Sequence, residues 1–169
     1  MKNQDLIIRN AGPGELDEVS LLLRAAYQQY ENVIRPEGWK LYLEDIVDVR
    51  SRLEESELIV AEMEHRPVGC VTLYLDASKS FPEAWPEGWA VVRLLAVHPD
   101  FRGKCVDHAL MEECINRCRR AKIKVIGLHT TEVMDIARHM YERMGFVRIP
   151  EHDFHPAPDV TVMAYYLKL

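Results

Sequence analysis

At 169 residues the chain is long enough for one domain with a full core and too short for two ordinary ones. Hydrophobic residues at 48% and charged residues at 28% exclude wholesale disorder, and only 8 glycines and 9 prolines exclude a collagen-like repeat. A net charge of −6 argues against a dedicated nucleic-acid binder, and no apolar run reaches the roughly 18–20 residues of a membrane span.

The first ten residues lack a charged stretch followed by an apolar core, so no secretory leader is expected and the protein is assigned to the cytoplasm. Cys70, Cys105, Cys114 and Cys118 then sit in a reducing setting and form no CxxC pair. Cys114 and Cys118 fall on one face of an expected helix, as small core hydrophobes. No metal site is expected, because 3.6 residues per turn carry His108 away from Cys114. The basic cluster Arg117, Arg119, Arg120, Lys122 and Lys124 has no interleaved aromatics and reads as a solvated helix end.

In chain order, Leu6 to Arg9 reads as a short strand before the turn Ala11-Gly12-Pro13-Gly14. Leu16, Val19, Leu22, Leu23, Ala26 and Tyr30 recur at helical spacing, with acidic Glu15, Asp17 and Glu18 in the first turn. A second helix is expected over about Trp39 to Ser56, carried by Leu43, Ile46, Val47, Val49 and Leu53. Leu58 to Met63 and Val68 to Leu75 form a hairpin across Glu64-His65-Arg66-Pro67, and Asp76 to Gly88 reads as a surface loop.

Ala90 to Val97 is a strand stopped by His98-Pro99. Val106, Ala109, Leu110, Cys114, Cys118 and Ala121 trace an amphipathic helix, and Lys124 to Leu128 reads as a strand buried on both faces. Ile136 to Met144 is a helix closed by Gly145; Phe146 to Ile149 and Val160 to Leu167 are strands around a Pro- and His-rich loop. The sum is one mixed α/β domain over residues 1–169, with its sheet at the centre.

The stretch Leu94 to Met111 carries the chemistry: a buried strand ends in Pro, a basic turn follows, and a helix begins near Lys104. Free N–H groups at a helix start, with Arg102 and Lys104 beside them, make an anion site. An ordinary strand-to-helix turn with solvated cations is an equal reading of the same residues.

Ala96-Val-His-Pro-Asp-Phe-Arg-Gly-Lys104 resembles the acetyl-CoA segment of the GNAT superfamily of N-acetyltransferases, and Ala137-Arg-His-Met-Tyr-Glu-Arg-Met-Gly-Phe146 resembles the family's later Ala-x-x-x-Tyr-x-x-x-Gly-Phe helix end. The element order is similar to the family's across essentially the whole chain. The resemblance implies a GNAT-like central mixed sheet of about six to seven strands flanked by about four helices. It also implies acetyl transfer from acetyl-CoA to a primary amine, with no metal. Backbone groups of Leu95, Ala96 and Val97 would hold the pantetheine arm, and Arg102, Gly103, Lys104, Cys105, Val106, Asp107 and His108 would cradle the pyrophosphate. Tyr141 would protonate the departing thiolate; the alternative is an aromatic packed beside Phe146.

Two departures stand out. The family's Arg/Gln-x-x-Gly-x-Gly/Ala pattern reads here as Arg102-Gly-Lys-Cys105-Val-Asp107, so both pattern glycines are replaced. A missing Cβ lets phosphates approach backbone, and an anionic first turn opposes them, so weakened cofactor binding is expected. Restoring both glycines should raise affinity and lower stability slightly. Secondly, many relatives carry a glutamate where Val91 stands. Glu87, His155 or Asp159 would then take the amine proton, directly or through water; Glu87 also reads as a solvated loop residue, and His152 and His155, flanked by Asp153 and Asp159, read equally as loop polar groups or as lining of the acceptor pocket. The acceptor is a small-molecule or peptide amine, with no nucleic-acid or membrane partner, and the oligomeric state is open between monomer and homodimer. The competing reading is a GNAT-fold protein that binds acyl-CoA as a sensor or interaction module without turnover.

Overall fold

The computed structural model describes residues 6–81 and 85–169. Ile7–Asn10 (β1) leads into Leu16–Tyr27 (α1) and Pro36–Val47 (α2). Glu57–Met63 (β2), Arg66–Tyr74 (β3) and Ala90–Val97 (β4) follow, then Val106–Arg120 (α3), Val125–Thr130 (β5) and Asp135–Arg143 (α4). Val147–Arg148 (β6), Phe154–Ala157 (β7) and Val160–Lys168 (β8) come last. The strand order is β1-β2-β3-β4-β5-β8-β6, with β7 paired on β8. β4 and β5 are parallel, while β1 with β2 and β5 with β8 are antiparallel. This is the mixed α/β architecture expected, with four α-helices among the described residues.

Three boundaries differ from the expectation, each for a local reason. Among the described residues the sheet has 8 strands, because β7 forms inside the Pro- and His-rich segment. Phe154 pairs with Val162 and Ala157 with Val160, and the register shifts between them, in a span that includes Pro156, which has no N–H to give to a ladder. The second helix runs over Pro36–Val47, with proline at its first turn, and stops at Asp48, where ψ is 72°. Arg52, buried beneath it, donates to the carbonyls of Asp45 at 2.6 Å and Ile46 at 3.0 Å, and so satisfies orphan acceptors that a longer helix would have used. In the β2–β3 hairpin, Glu64 and His65 both take left-handed φ, 52° and 62°, which lets β3 start at Arg66 in a tight two-residue connection.

The segment Asp76 to Gly88 is also less superficial than expected, although residues 82–84 lie outside the described part. Ala77 and Ser80 are buried, and the Ala77 N–H donates to the Trp89 carbonyl at 2.9 Å. Tyr74, Ala77 and Val91 form a buried cluster against which Trp85 and Trp89 pack.

The chain divides into two compact units, Met1–Thr72 with Leu94–Glu113, and Leu73–Arg93 with Cys114–Leu169. In the first, Val19, Leu22 and Leu23 of α1 are buried, as are Ile46, Ile59, Val60, Val68, Val71, Leu110 and Met111. Gly69 is where β3 passes under α3: a Cβ there would meet Val106 Cγ1 at 2.7 Å and the Ala96 carbonyl at 3.1 Å. In the second, Ile126, Leu128, Met140, Phe146, Ala164 and Tyr165 are buried. Cys114 and Cys118 belong to that core at 0% exposure. No helix among the described residues is long and apolar enough to cross a membrane.

Candidate active site

β4 carries the first irregularity. Its ladder with β5 runs from Ala90↔Ile126 to Val92↔Leu128, and Leu94 then adopts φ 55°. A leucine in the left-handed region costs about 1–2 kcal/mol, here accepted in exchange for a buried side chain. The kink re-aims the residues assigned to the pantetheine arm. Of these, Ala96 is buried, Leu95 and Val97 are half-buried, and the Leu95 carbonyl already accepts the Tyr27 hydroxyl at 3.4 Å. Just beyond, the His98 N–H donates to the Val68 carbonyl at 2.8 Å, which pins the end of the strand.

The basic turn is built from the side of Phe101. Its buried ring lies under two cations, the Arg66 guanidinium at 5.0 Å and the Lys104 ammonium at 4.8 Å. Arg102 is committed elsewhere: one Nη donates to the Ala26 carbonyl at 3.0 Å, at the last turn of α1, where a helix favours positive charge. Tyr30 lies near enough to feel that charge, yet burial prevails and pushes its phenol up. Lys104, by contrast, lies over the Phe101 ring, and among the described residues it has no carbonyl partner.

α3 starts cleanly. Cys105 stands at its N-cap position, and its carbonyl accepts the first intrahelical bond, from Ala109 N–H at 3.1 Å. The N–H groups of Cys105, Val106, Asp107 and His108 thus lie outside the helical ladder. Gly103 has φ 75°, and a Cβ built on it would meet nothing within 4 Å. Residues 102–105 are exposed. Unladdered donors, a flanking ammonium and open backbone together fit a pyrophosphate. One feature opposes it: the Asp107 carboxylate accepts the His108 N–H at 2.9 Å, so it occupies a donor and places a negative charge in the first turn.

The backbone at position 105 is itself strained. Cys105 has φ 59°, a conformation that glycine takes without penalty. Glycine at position 105 alone would therefore relieve strain.

The second motif has an equally local cause. At the end of α4 the Phe146 N–H donates to the Tyr141 carbonyl at 3.0 Å and the Gly145 N–H to the Glu142 carbonyl at 3.1 Å. Gly145 has φ 95°. This is a Schellman closure, and its accompanying apolar contact is Tyr141 against Phe146, ring centroids 5.9 Å apart. Tyr141 is buried at 6% exposure, so the packing role weighed at the sequence level is real.

The remaining candidates belong to the second unit and are scattered. Val91 is 1% exposed within the Tyr74–Ala77 cluster, an apolar setting that would strongly disfavour a carboxylate. Glu87 is exposed in a turn. His155 and Asp159 lie exposed around the β7–β8 turn, where His155 Nδ1 is 3.3 Å from the Val160 carbonyl oxygen. Asp153 is tied into structure: Arg148 donates to it at 2.7 and 2.8 Å and the Ala164 N–H at 2.7 Å, which holds its carboxyl below the usual range.

A cluster not foreseen from sequence surrounds His129, on β5. Trp85 packs against its ring at 4.5 Å and Phe154 meets it edge-on at 5.0 Å. Its Nε2 is 2.8 Å from the His152 carbonyl. Trp85 can approach because β5 has glycine at 127, where a Cβ would lie 2.7 Å from the indole. The signal in the sequence was Gly127-Leu-His129, a bare position followed on the same face by an imidazole.

The chain resembles known proteins in sequence and in fold. A family model described as the acetyltransferase (GNAT) family matches residues 20–146. Among curated proteins, a mycothiol acetyltransferase of Propionibacterium freudenreichii subsp. shermanii is 40% identical over 55 residues, spanning 32% of this chain and 18% of that protein. Among solved structures, the PaiA N-acetyltransferase of Thermoplasma acidophilum in complex with coenzyme A aligns with TM-score 0.76 at 14% identity, covering 98% of this chain and 99% of that one. A GNAT family acetyltransferase of Brucella melitensis in complex with acetyl-CoA aligns with TM-score 0.61 at 20% identity, covering 86% and 84%. With a family model matched over most of its length and two local motifs explained by their backbone, the chain belongs to the acetyltransferase (GNAT) family.

Proposed function

We propose that this protein transfers an acetyl group from acetyl-CoA to a primary amine of a small molecule or peptide, by direct attack in a ternary complex. The observation that carries the proposal is the start of α3, where backbone N–H groups lie outside the helical ladder next to exposed Lys104 and Cys105. The amides of Cys105, Val106 and Asp107 would hold the pyrophosphate, and the backbone of Leu95, Ala96 and Val97 the pantetheine arm. Acetyl-CoA supplies the acyl group as a thioester. A main-chain N–H at the end of β4 polarises its carbonyl, and the Tyr141 hydroxyl protonates the sulfur as it leaves. Structural relatives that hold coenzyme A and acetyl-CoA support the donor, as does the partial relative named as a mycothiol acetyltransferase.

A second reading, binding of acyl-CoA without turnover, is favoured by Asp107, Cys105 and the apolar burial of Val91. Calorimetric titration with acetyl-CoA followed by thiol release over a panel of amines separates the two. Binding with amine-dependent thiol release supports transfer, and binding with release at background for every amine supports the sensor. Tyr141→Phe should lower kcat by about a hundredfold or more while leaving acetyl-CoA affinity within twofold, since an acid needed only as the thiolate departs acts on the transition state.

A further inference from the structure

We propose that the Tyr27 hydroxyl is a positioning group for the acyl donor: it holds the Leu95 carbonyl in the orientation that an amide N–H of the pantetheine arm requires. The assignment rests on the acetyl-transfer reading above and brings the end of α1 into the donor site.

Three observations converge on this contact, all within the first compact unit. The Leu95 carbonyl directly follows Leu94, whose φ is 55°. A leucine stays in that conformation only where its surroundings hold it. Two bonds do so here: the His98 N–H donates to the Val68 carbonyl at 2.8 Å, and the Tyr27 hydroxyl donates to the Leu95 carbonyl at 3.4 Å. The second observation is the direction of that carbonyl. Residues of a strand alternate in the edge to which they turn N–H and C=O. His98 turns to β3, so Leu95 and Val97, an odd number of steps away, turn to the opposite edge. A carbonyl oxygen has two lone pairs, and at 3.4 Å the phenol makes a long bond to one of them. The bond aims the carbonyl and leaves it able to accept from a ligand amide.

The third observation is that the same turn of α1 holds the phosphate side. The carbonyl of Ala26, next to Tyr27, accepts an Nη of Arg102 at 3.0 Å. Tyr27 itself is 8% exposed, and the rings of Tyr30 and Tyr42 meet it edge-on at 5.9 and 6.0 Å. The hydroxyl is therefore carried on a fixed ring. Two consecutive residues at the end of α1 thus brace both stretches of chain assigned to acetyl-CoA, one through a side chain and one through a carbonyl. A pantetheine amide then meets an acceptor already aimed, and no peptide has to be immobilised on binding.

The test is calorimetry on the whole protein, wild type and Tyr27→Phe, with two ligands. One is acetyl-CoA; the other is 3′-phosphoadenosine 5′-diphosphate, which carries the nucleotide and pyrophosphate and no pantetheine. Tyr27→Phe should bind acetyl-CoA about three- to tenfold more weakly, the range of one hydrogen bond, and should bind the nucleotide as the wild type does. A role confined to packing would weaken both ligands alike or neither. Equal acetyl-CoA affinity for the two proteins, a parallel loss for both ligands, or a gain in the variant overturns the assignment and leaves acetyl transfer intact. Wild-type protein that does not bind acetyl-CoA overturns both. Should Tyr27→Phe fail to fold, 3-fluorotyrosine placed at position 27 decides, being a more acidic phenol of nearly the same shape. Its acetyl-CoA affinity should exceed that of the wild type by about twofold with the nucleotide affinity unchanged, and an acetyl-CoA affinity no higher than the wild type's overturns the assignment.

Discussion

The charge at position 107 gives the sharpest test of the phosphate turn. Asp107 spends its carboxylate on the His108 N–H at 2.9 Å, in the first turn of α3. Asp107→Asn keeps the shape and the acceptor oxygen and removes only the charge. For two phosphate charges about 6 Å away in a water-like dielectric, the repulsion removed is about 1.4 kcal/mol, and screening at physiological salt cuts it to about 0.7 kcal/mol. Affinity for acetyl-CoA should therefore rise about threefold at physiological ionic strength and about six- to tenfold in dilute buffer. Calorimetry at both salt concentrations reads this directly. Acetyl-pantetheine, which carries no phosphate at that end, should bind the two proteins alike. Equal acetyl-CoA affinity for both proteins at both ionic strengths would refute the placement of phosphates at this turn.

Three further outcomes follow from particular contacts. Cys105→Gly relieves a left-handed residue at φ 59°, and the gain of about 1–2 kcal/mol exceeds the extra chain entropy of glycine, about 0.5–1 kcal/mol; thermal unfolding should shift up by about 1–3 °C, and a downward shift would contradict the strain. Gly127→Ala places a methyl 2.7 Å from the Trp85 ring, so the indole must move, at a cost of about 1–3 kcal/mol and with a red shift in tryptophan emission; an unchanged spectrum would count against the contact. Asp153→Asn removes the ionic half of three hydrogen bonds from Arg148 and Ala164 and should cost about 2 kcal/mol at pH 7. Because the native carboxyl is held low, chiefly by Arg148, its contribution is present above the unfolded pKa near 4 and fades as pH falls through the native value. The gap between the two proteins in urea midpoint should close toward pH 2, and a gap that persists there would exclude an ionic origin.

What the sequence determined by itself was local. Apolar spacing placed α1, α3 and α4 to within about three residues, and β4 at Ala90–Val97 as observed. Gly145 closed α4 because a Schellman turn needs only the six residues from Tyr141 to Phe146 and a positive φ. The strand end at Val97, the turn after it and the helix start at Val106 were legible for the same reason, read off contiguous residues. Tertiary structure decided whatever depends on a distant partner. Arg52 ended α2 by reaching the carbonyls of Asp45 and Ile46, where periodicity alone ran on. Val162 and Val160 turned a loop into β7. The strain at Cys105 belongs to a backbone path leading into Val106, which is buried over Gly69. His129 gained its tautomer from a carbonyl 23 positions away. Periodicity encodes which face of an element is apolar, whereas hydrogen-bond partners and backbone strain arise only once separate elements meet and each buried polar group must find a mate.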